Sequence, residues 1–219
     1  MMNRVLNKLK LFLKWRKRTK SINLSIKGRD NKFINEGLFN NVIIDIEGHS
    51  NEVRIEKNTT INNTLIYIRG DHHRLIINEN CFFGEGELWI EDHHCTLIIH
   101  EYTTIERAHL AVTEPFSKLE IHKDCMLAKH VEIRTGDSHS IIDLVTGERI
   151  NKAADVTLET HVWVGAHAKI LKGVTIGNNS VIGSSSIVTK DVPAYSIVAG
   201  VPAKLIRSGI DWKRERIIN

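Results

Sequence analysis

Acidic residues are missing from the first twenty positions of this 219-residue chain, where eight Lys or Arg stand. The whole chain has 30 basic and 26 acidic residues, so the rest keeps 22 basic against 26 acidic and is net negative. Cysteine is scarce. Cys81, Cys95 and Cys125 are odd in number and lack metal-ligand spacing, which excludes a disulfide framework and reads as free thiols in a reducing compartment. Only three prolines and fourteen glycines argue against a disordered or low-complexity chain. The apolar stretch near the N-terminus is too short and too charged for a signal peptide or a membrane span, so a cytoplasmic protein is expected.

What is present is a period of six. Leu158, Val164, Ile170, Ile176, Ile182 and Val188 recur at that interval, which neither a 3.6-residue helix nor a lone two-period strand explains. A solenoid explains it: each unit is a short strand plus a corner, three units close a triangular coil, and the repeated residue points inward. Gly165, Gly177 and Gly183 follow that residue directly, where a tight corner favours a residue without Cβ. Upstream the interval becomes 22, in four columns: Ile46, Ile68, Ile90 and Val112; Val53, Leu75, Leu97 and Leu119; Ile55, Ile77, Ile99 and Ile121; Ile61, Phe83, Ile105 and Leu127. Leu24, Phe33 and Phe39 extend these columns weakly by one coil.

The expected fold is therefore all-β, a triangular parallel solenoid. Residues 1–20 form a basic amphipathic N-terminal helix, 21–142 irregular 22-residue coils, 143–155 a projecting loop, 156–200 the regular hexapeptide coils and 201–219 a C-terminal cap around Asp211 and Trp212. In the helix, Val5, Leu6, Leu9, Phe12 and Leu13 fall on one stripe, with Lys8, Lys10, Lys14 and Lys17 on the other faces. Such a helix either caps the solenoid or joins subunits, or it makes peripheral contact with an anionic membrane surface or an acidic polysaccharide.

Chemistry gathers where the coil length changes. Arg134-Thr135-Gly136-Asp137-Ser138-His139-Ser140 puts turn-forming residues around a histidine, and Asp143–Asp155 fits no repeat column. Long excursions from a repeat scaffold are commonly functional. Trp163, too bulky for a narrow core, is expected on the outer surface. The 22-residue register stacks His72 over His94 and sets His73, Cys95, Ser117 and His139 in one column. Adjacent histidines point apart and no third ligand is evident, so no metal is expected. A polar, partly basic stripe of His72, His73, Arg74, His94 and Lys118 is instead read as the acceptor-binding surface for an extended glycan.

The run Val162-Trp163-Val164-Gly165-Ala166, then Lys172-Gly173-Val174-Thr175-Ile176-Gly177, Val181-Ile182-Gly183, Val188-Thr189-Lys190-Asp191-Val192-Pro193 and Ala199-Gly200-Val201-Pro202-Ala203-Lys204 resembles the C-terminal half of the hexapeptide-repeat O-acetyltransferases. Galactoside and maltose acetyltransferases are similar, and the enzymes of capsular polysaccharide and polysialic acid more so, from about residue 131 to 207. The resemblance implies a left-handed parallel β-helix, a homotrimer, and acetyl-CoA held between subunits. It implies His139, 24 positions before Trp163, as general base toward a sugar hydroxyl, a role typically worth about 10²–10⁴ in rate. The Ala166 backbone amide would be the oxyanion donor, worth roughly 3 kcal/mol. Trp163 would line the acetyl and pantetheine end, beside Gly165, with Ser184 and Thr189 on the pantetheine arm and Lys190, Lys204 and Arg207 toward the nucleotide phosphates. Asp137 is a candidate orienter of His139, or a residue bonding its own loop.

The activity implied is acetyl transfer from acetyl-CoA to a hydroxyl of a surface polysaccharide, with no metal and no nucleic-acid partner. Two alternatives stay open: a small acceptor such as a free sugar, a nucleotide amino sugar or an amino acid, and a non-catalytic glycan-binding solenoid.

Overall fold

In the computed structural model, residues 20–218 are described, and their helix-free regular structure is made of short strands. The expected N-terminal helix, with any membrane contact through it, lies outside the described residues apart from Lys20, which opens the strand Lys20–Lys27.

Inward aliphatic residues at a fixed interval can all be covered only if the chain turns a corner after each strand and stacks the next coil in parallel register. Strands of three faces repeat up the molecule. The first face holds Phe82–Phe83, Thr104–Ile105, Met126–Leu127, Trp163–Val164 and Val181–Ile182; the second holds Gly86–His93, Ala108–Val112, Val131–Arg134, Lys169–Ile170 and Ile187–Val188. The third runs from Lys32–Asn35 through Arg74–Ile77, Thr96–Ile99 and Lys118–Ile121 to Thr175–Ile176. Two long strands, Leu38–Glu47 and Thr60–Asp71, pass from the first face to the second without a break and join them into one sheet.

Every residue of the six-residue series and of the four 22-residue columns is buried. Burying one such aliphatic side chain contributes about 1.5–3 kcal/mol, so the stacked columns are the core. Phe39 continues its column, pairing with Ile61. The other two upstream expectations are corrected. Leu24 pairs with Ile44 and Phe33 with Val53, because the first coil advances by 20 residues instead of 22. Leu24 keeps the inward register of the buried Ile44 and is 49% exposed because its strand, Lys20–Lys27, pairs with a neighbour on one side only among the described residues. Gly165, Gly177 and Gly183 have their reason in coil stacking and not in left-handed backbone: a Cβ there would come within 2.6 Å of the Ser184 amide, 2.5 Å of the Ala194 amide and 2.7 Å of the Ala199 Cβ. Left-handed corners are taken instead by polar or aromatic residues, among them Asn58, Asn80, Tyr102, Asp124, His161 and Asn179 on the third-to-first edge.

All three cysteines are free and buried. Burial pushes the thiols up, to about 11 for Cys81 and Cys95 and about 12 for Cys125. Thr59 and Thr103 hydroxyls accept the amides of Cys81 and Cys125 one coil apart each time, which sets the two cysteines in one column two coils apart.

The C-terminal segment does more than close the end. Ser196–Gly200 and Ala203–Ser208 form an antiparallel hairpin, after which the chain turns back down the third-to-first edge. The Trp212 indole donates to the His161 carbonyl at 2.7 Å and stacks on the His161 ring at 4.1 Å. Lower still, Arg214 donates to the Asp124 carboxylate at 2.9 Å and to Thr104 Oγ1 at 2.8 Å.

Candidate active site

On the second face the regular backbone ends at Arg134, and the third face resumes only at Val156. The excursion thus begins earlier than Asp143 and takes His139 with it. Ser117 is succeeded in its column by Ala154, since Leu119 pairs with Val156. His73, Cys95 and Ser117 do stack, the His73 ring accepting the Cys95 amide and the Ser117 hydroxyl lying beside the Cys95 sulfur, but His139 is not in that column.

The excursion is a short hairpin. The Ile150 amide donates to the Ile141 carbonyl, the Asp143 amide to the Glu148 carbonyl, and Asp143 Oδ1 accepts the Val145 and Thr146 amides to fold the tip. Leu144 and Val145 at that tip are 99% and 94% exposed. Two side chains fasten the excursion to the solenoid, and a third ties its own segments together. Arg149 donates to both oxygens of Glu114, at 2.8 and 2.5 Å. Lys172 Nζ, from the coil above, donates to Asp137 Oδ2 at 2.5 Å and to the Asn151 carbonyl at 2.7 Å. Asn151, buried, donates through Nδ2 to Asp137 Oδ2 at 2.9 Å and to the His139 carbonyl at 2.8 Å, while its Oδ1 accepts the Ile141 amide at 2.7 Å and Arg149 Nε at 3.1 Å.

All four bonds that an amide side chain can make are therefore made. The Asp137 carboxylate serves this network, with its bonds going to Asn151 and Lys172, and its link to His139 runs through Asn151 to the backbone. The His139 side chain stands exposed at a cavity of about 490 Å³ lined also by Ser138, Ser140, Arg69, Glu91 and Arg149.

The Lys172 hydrogen bond holds the Asp137 carboxyl below its ordinary range, and the Arg149 bond does the same for Glu114. A depressed folded-state pKa stabilises the fold above the ordinary carboxylate range, about pH 4, and that stabilisation is lost as pH falls through the lowered value. Hydrogen exchange over residues 135–155 should therefore lose protection before the coils do as pH falls below the ordinary carboxylate range. Equal loss across excursion and coils would refute the link.

Trp163 is 38% exposed on the first face. Outward register places it below Val181, Ile197 and Arg207 in succession, so Trp163 and Arg207 mark the two ends of one strip about 14 Å long at three coil spacings. Gly165 lies under Ser184 at the adjoining corner. The Ala166 carbonyl accepts the Ser185 amide at 2.8 Å, while the Ala166 amide itself has no acceptor among the described residues. Ser184, Thr189, Lys190, Lys204 and Arg207 are all exposed, and none of the three cations forms an ion pair among the described residues. The tilted indole of Trp212, 5.9 Å from that of Trp163, backs this strip, which the sequence hinted at only as a capping tryptophan. Within one chain His139 and Trp163 occupy different corners, separated by the third-face strand Val156–Leu158.

Of the expected acceptor stripe, His72 and His94 do stack, 4.7 Å apart and 6° from parallel, and Phe116 adds a third ring at 4.9 Å. His73 is corrected: it is 0% exposed, and its Nε2 bonds the Arg69 carbonyl. Arg74 faces Glu52 and Lys118 is bonded to Glu120, which lowers the stripe's free charge. Glu120 also gathers His100 and His122, their ligand atoms within 4.8 Å of one another, on the third face away from the excursion.

The family described as "Bacterial transferase hexapeptide (six repeats)" matches residues 155–190. The polysialic acid O-acetyltransferase of Escherichia coli O1:K1 is 39% identical over 112 residues, 51% of this chain and 36% of that protein. The chain thus aligns with little more than a third of that curated relative. Two solved structures align over nearly the whole chain. The polySia specific acetyltransferase NeuO is 33% identical with a TM-score of 0.81, covering 91% of this chain and 90% of its own. The polysialic acid O-acetyltransferase OatWY is 32% identical with a TM-score of 0.82, covering 90% and 93%. With its triangular coils, its six-residue register and a likeness of that extent, the chain belongs to the hexapeptide-repeat O-acetyltransferase family of left-handed parallel β-helices.

Proposed function

We propose that the protein transfers the acetyl group of acetyl-CoA to a hydroxyl of a surface polysaccharide of capsular type, acting as a homotrimer in the cytoplasm. The observation that carries this reading is the split of the candidate residues between two corners. His139 stands on a fastened excursion at the second-to-third edge, with Thr189 and Lys190 on that same edge two coils above, while an indole, a free backbone amide and the unpaired cations Lys204 and Arg207 stand on and beside the first face, so one chain supplies two halves of a site that a neighbouring copy completes.

In this site acetyl-CoA lies along the Trp163-to-Arg207 strip, its phosphates toward Lys204 and Arg207 of that chain and toward the Lys190 edge of the adjacent subunit, charges that have no ion-pair partner among the described residues. Its pantetheine arm passes Ser184 above Gly165 on one subunit and the Thr189 edge of the adjacent subunit. The acceptor enters beside the excursion of the adjacent subunit. His139 takes the proton of the attacking hydroxyl as its oxygen bonds the thioester carbonyl carbon. The Ala166 amide donates to the oxygen that becomes negative. Collapse of the tetrahedral intermediate breaks the carbon–sulfur bond, and the imidazolium returns its proton to the departing CoA thiolate. Asp137 and Asn151 hold His139 in place and touch no reacting atom.

The test is CoA-thiol release from acetyl-CoA across a panel containing polysialic acid, neutral capsular polysaccharides, free sugars and amino sugars. Turnover that falls steeply as the polymer is shortened supports the polysaccharide reading. Equal turnover of a monosaccharide moves the acceptor to a small molecule, and no release with any acceptor leaves a glycan-binding solenoid.

A further inference from the structure

Outward side chains on the second face stack in columns because successive coils are in register. Tyr67, Trp89, Ala111 and Arg134 occupy one such column. The rings of Tyr67 and Trp89 stack at 3.9 Å and 23°, and the Arg69 guanidinium covers Tyr67 from 4.0 Å. The next rung up is only a methyl group. Ala111 itself is only 4% exposed, at the floor of the gap, and the rung above it is Arg134, two coil spacings or about 10 Å of backbone above the Trp89 rung.

The missing rung leaves a cavity of about 210 Å³ between Trp89 and Arg134, with Gly136 and Ser138 on its wall. Those two residues flank Asp137, directly before His139, and Ser138 also lines the cavity at which His139 stands. A saturated six-membered ring in van der Waals contact on both sides requires about 4 Å above and below its plane, which the gap supplies. Arg134 gives its Nε to Glu132 and keeps its terminal nitrogens without partners among the described residues. It can donate both to a hydroxyl or carboxylate of that ring.

We propose that this slot is the acceptor subsite: a pyranose ring of the glycan lies on the Trp89 indole beneath Arg134, bringing a hydroxyl of the chain to His139. The proposal rests on the acetyl-transfer reading above and names where that acceptor sits. It also moves the glycan path from the His72, His94 and Phe116 corner to the second face.

Ala111→Leu fills the slot without touching the core columns, and Trp89→Ala removes its floor. Both are assayed by thiol release with polysialic acid first, and with whichever glycan of the panel turns over fastest, at saturating acetyl-CoA. Each variant should raise the acceptor KM at least about tenfold and leave the acetyl-CoA KM and the melting temperature of Ala111→Leu unchanged. If Ala111→Leu is folded and its acceptor KM stays within twofold of the parent, the subsite is refuted while the activity stands. If the parent protein releases no thiol with any glycan, the activity reading fails first and the subsite with it.

Discussion

Replacing His139 by alanine lowers turnover by about 10²–10⁴-fold and leaves the fold intact. The imidazole is exposed and forms no side-chain hydrogen bond among the described residues, while the loop is held through its backbone carbonyl by Asn151. Removing the ring therefore breaks none of the bonds that fasten the excursion. The acetyl-CoA KM should stay where it was, because the strip from Trp163 to Arg207 lies at another corner. Thiol release measured with saturating acetyl-CoA and varied acceptor separates these quantities. Near-parental turnover in a folded His139→Ala protein would remove the general base from the proposed chemistry.

Asn151→Asp has the second large effect, for a different reason. The substitution retains the shape and removes both donors, so Asp137 and the His139 carbonyl lose their partner and a second carboxylate stands against Asp137 Oδ2, where the amide was 2.9 Å away. Leaving such groups unsatisfied costs about 1–3 kcal/mol. A base displaced by about 1 Å is enough for a loss near 10²-fold. The expected signature of this positioning residue is a fall in kcat with an unchanged acetyl-CoA KM, accompanied by faster hydrogen exchange confined to residues 135–155. Asn151→Gln or Asn151→Ser should recover part of the rate where it restores the donor to the His139 carbonyl. A uniform loss of protection through the coils would instead mark Asn151 as a general stability residue.

How far the sequence could be read depended on whether a residue's position was set by the repeat. Ile99 and Ile121, Leu158 and Ile176, and the stacked rings of His72 and His94 were legible because parallel coils in register convert a sequence interval into a spatial neighbour. The same logic misled at Leu24 and Phe33, where the first coil is two residues shorter, and at His139, where the excursion of residues 135–155 resets the interval from 22 to 37. Asn151 carried no local signal. Its four partners come from Asp137, His139, Ile141 and Arg149, brought together only when the hairpin closes. Trp212 and Arg214 likewise reach His161 and Asp124 only because the chain folds back past its terminal hairpin.

The amino-acid sequence by itself determined the prism, its inward columns and the corner that bears Trp163, since covering an aliphatic residue at every sixth position leaves no other regular path for the chain. Tertiary structure decided where the loop that carries His139 leaves the coil, what holds it there, and that the smallest rung of the Tyr67, Trp89, Ala111 and Arg134 column lines a cavity. Those depend on hydrogen bonds and gaps between segments of unrelated register, and a repeat carries no information about contacts that break it.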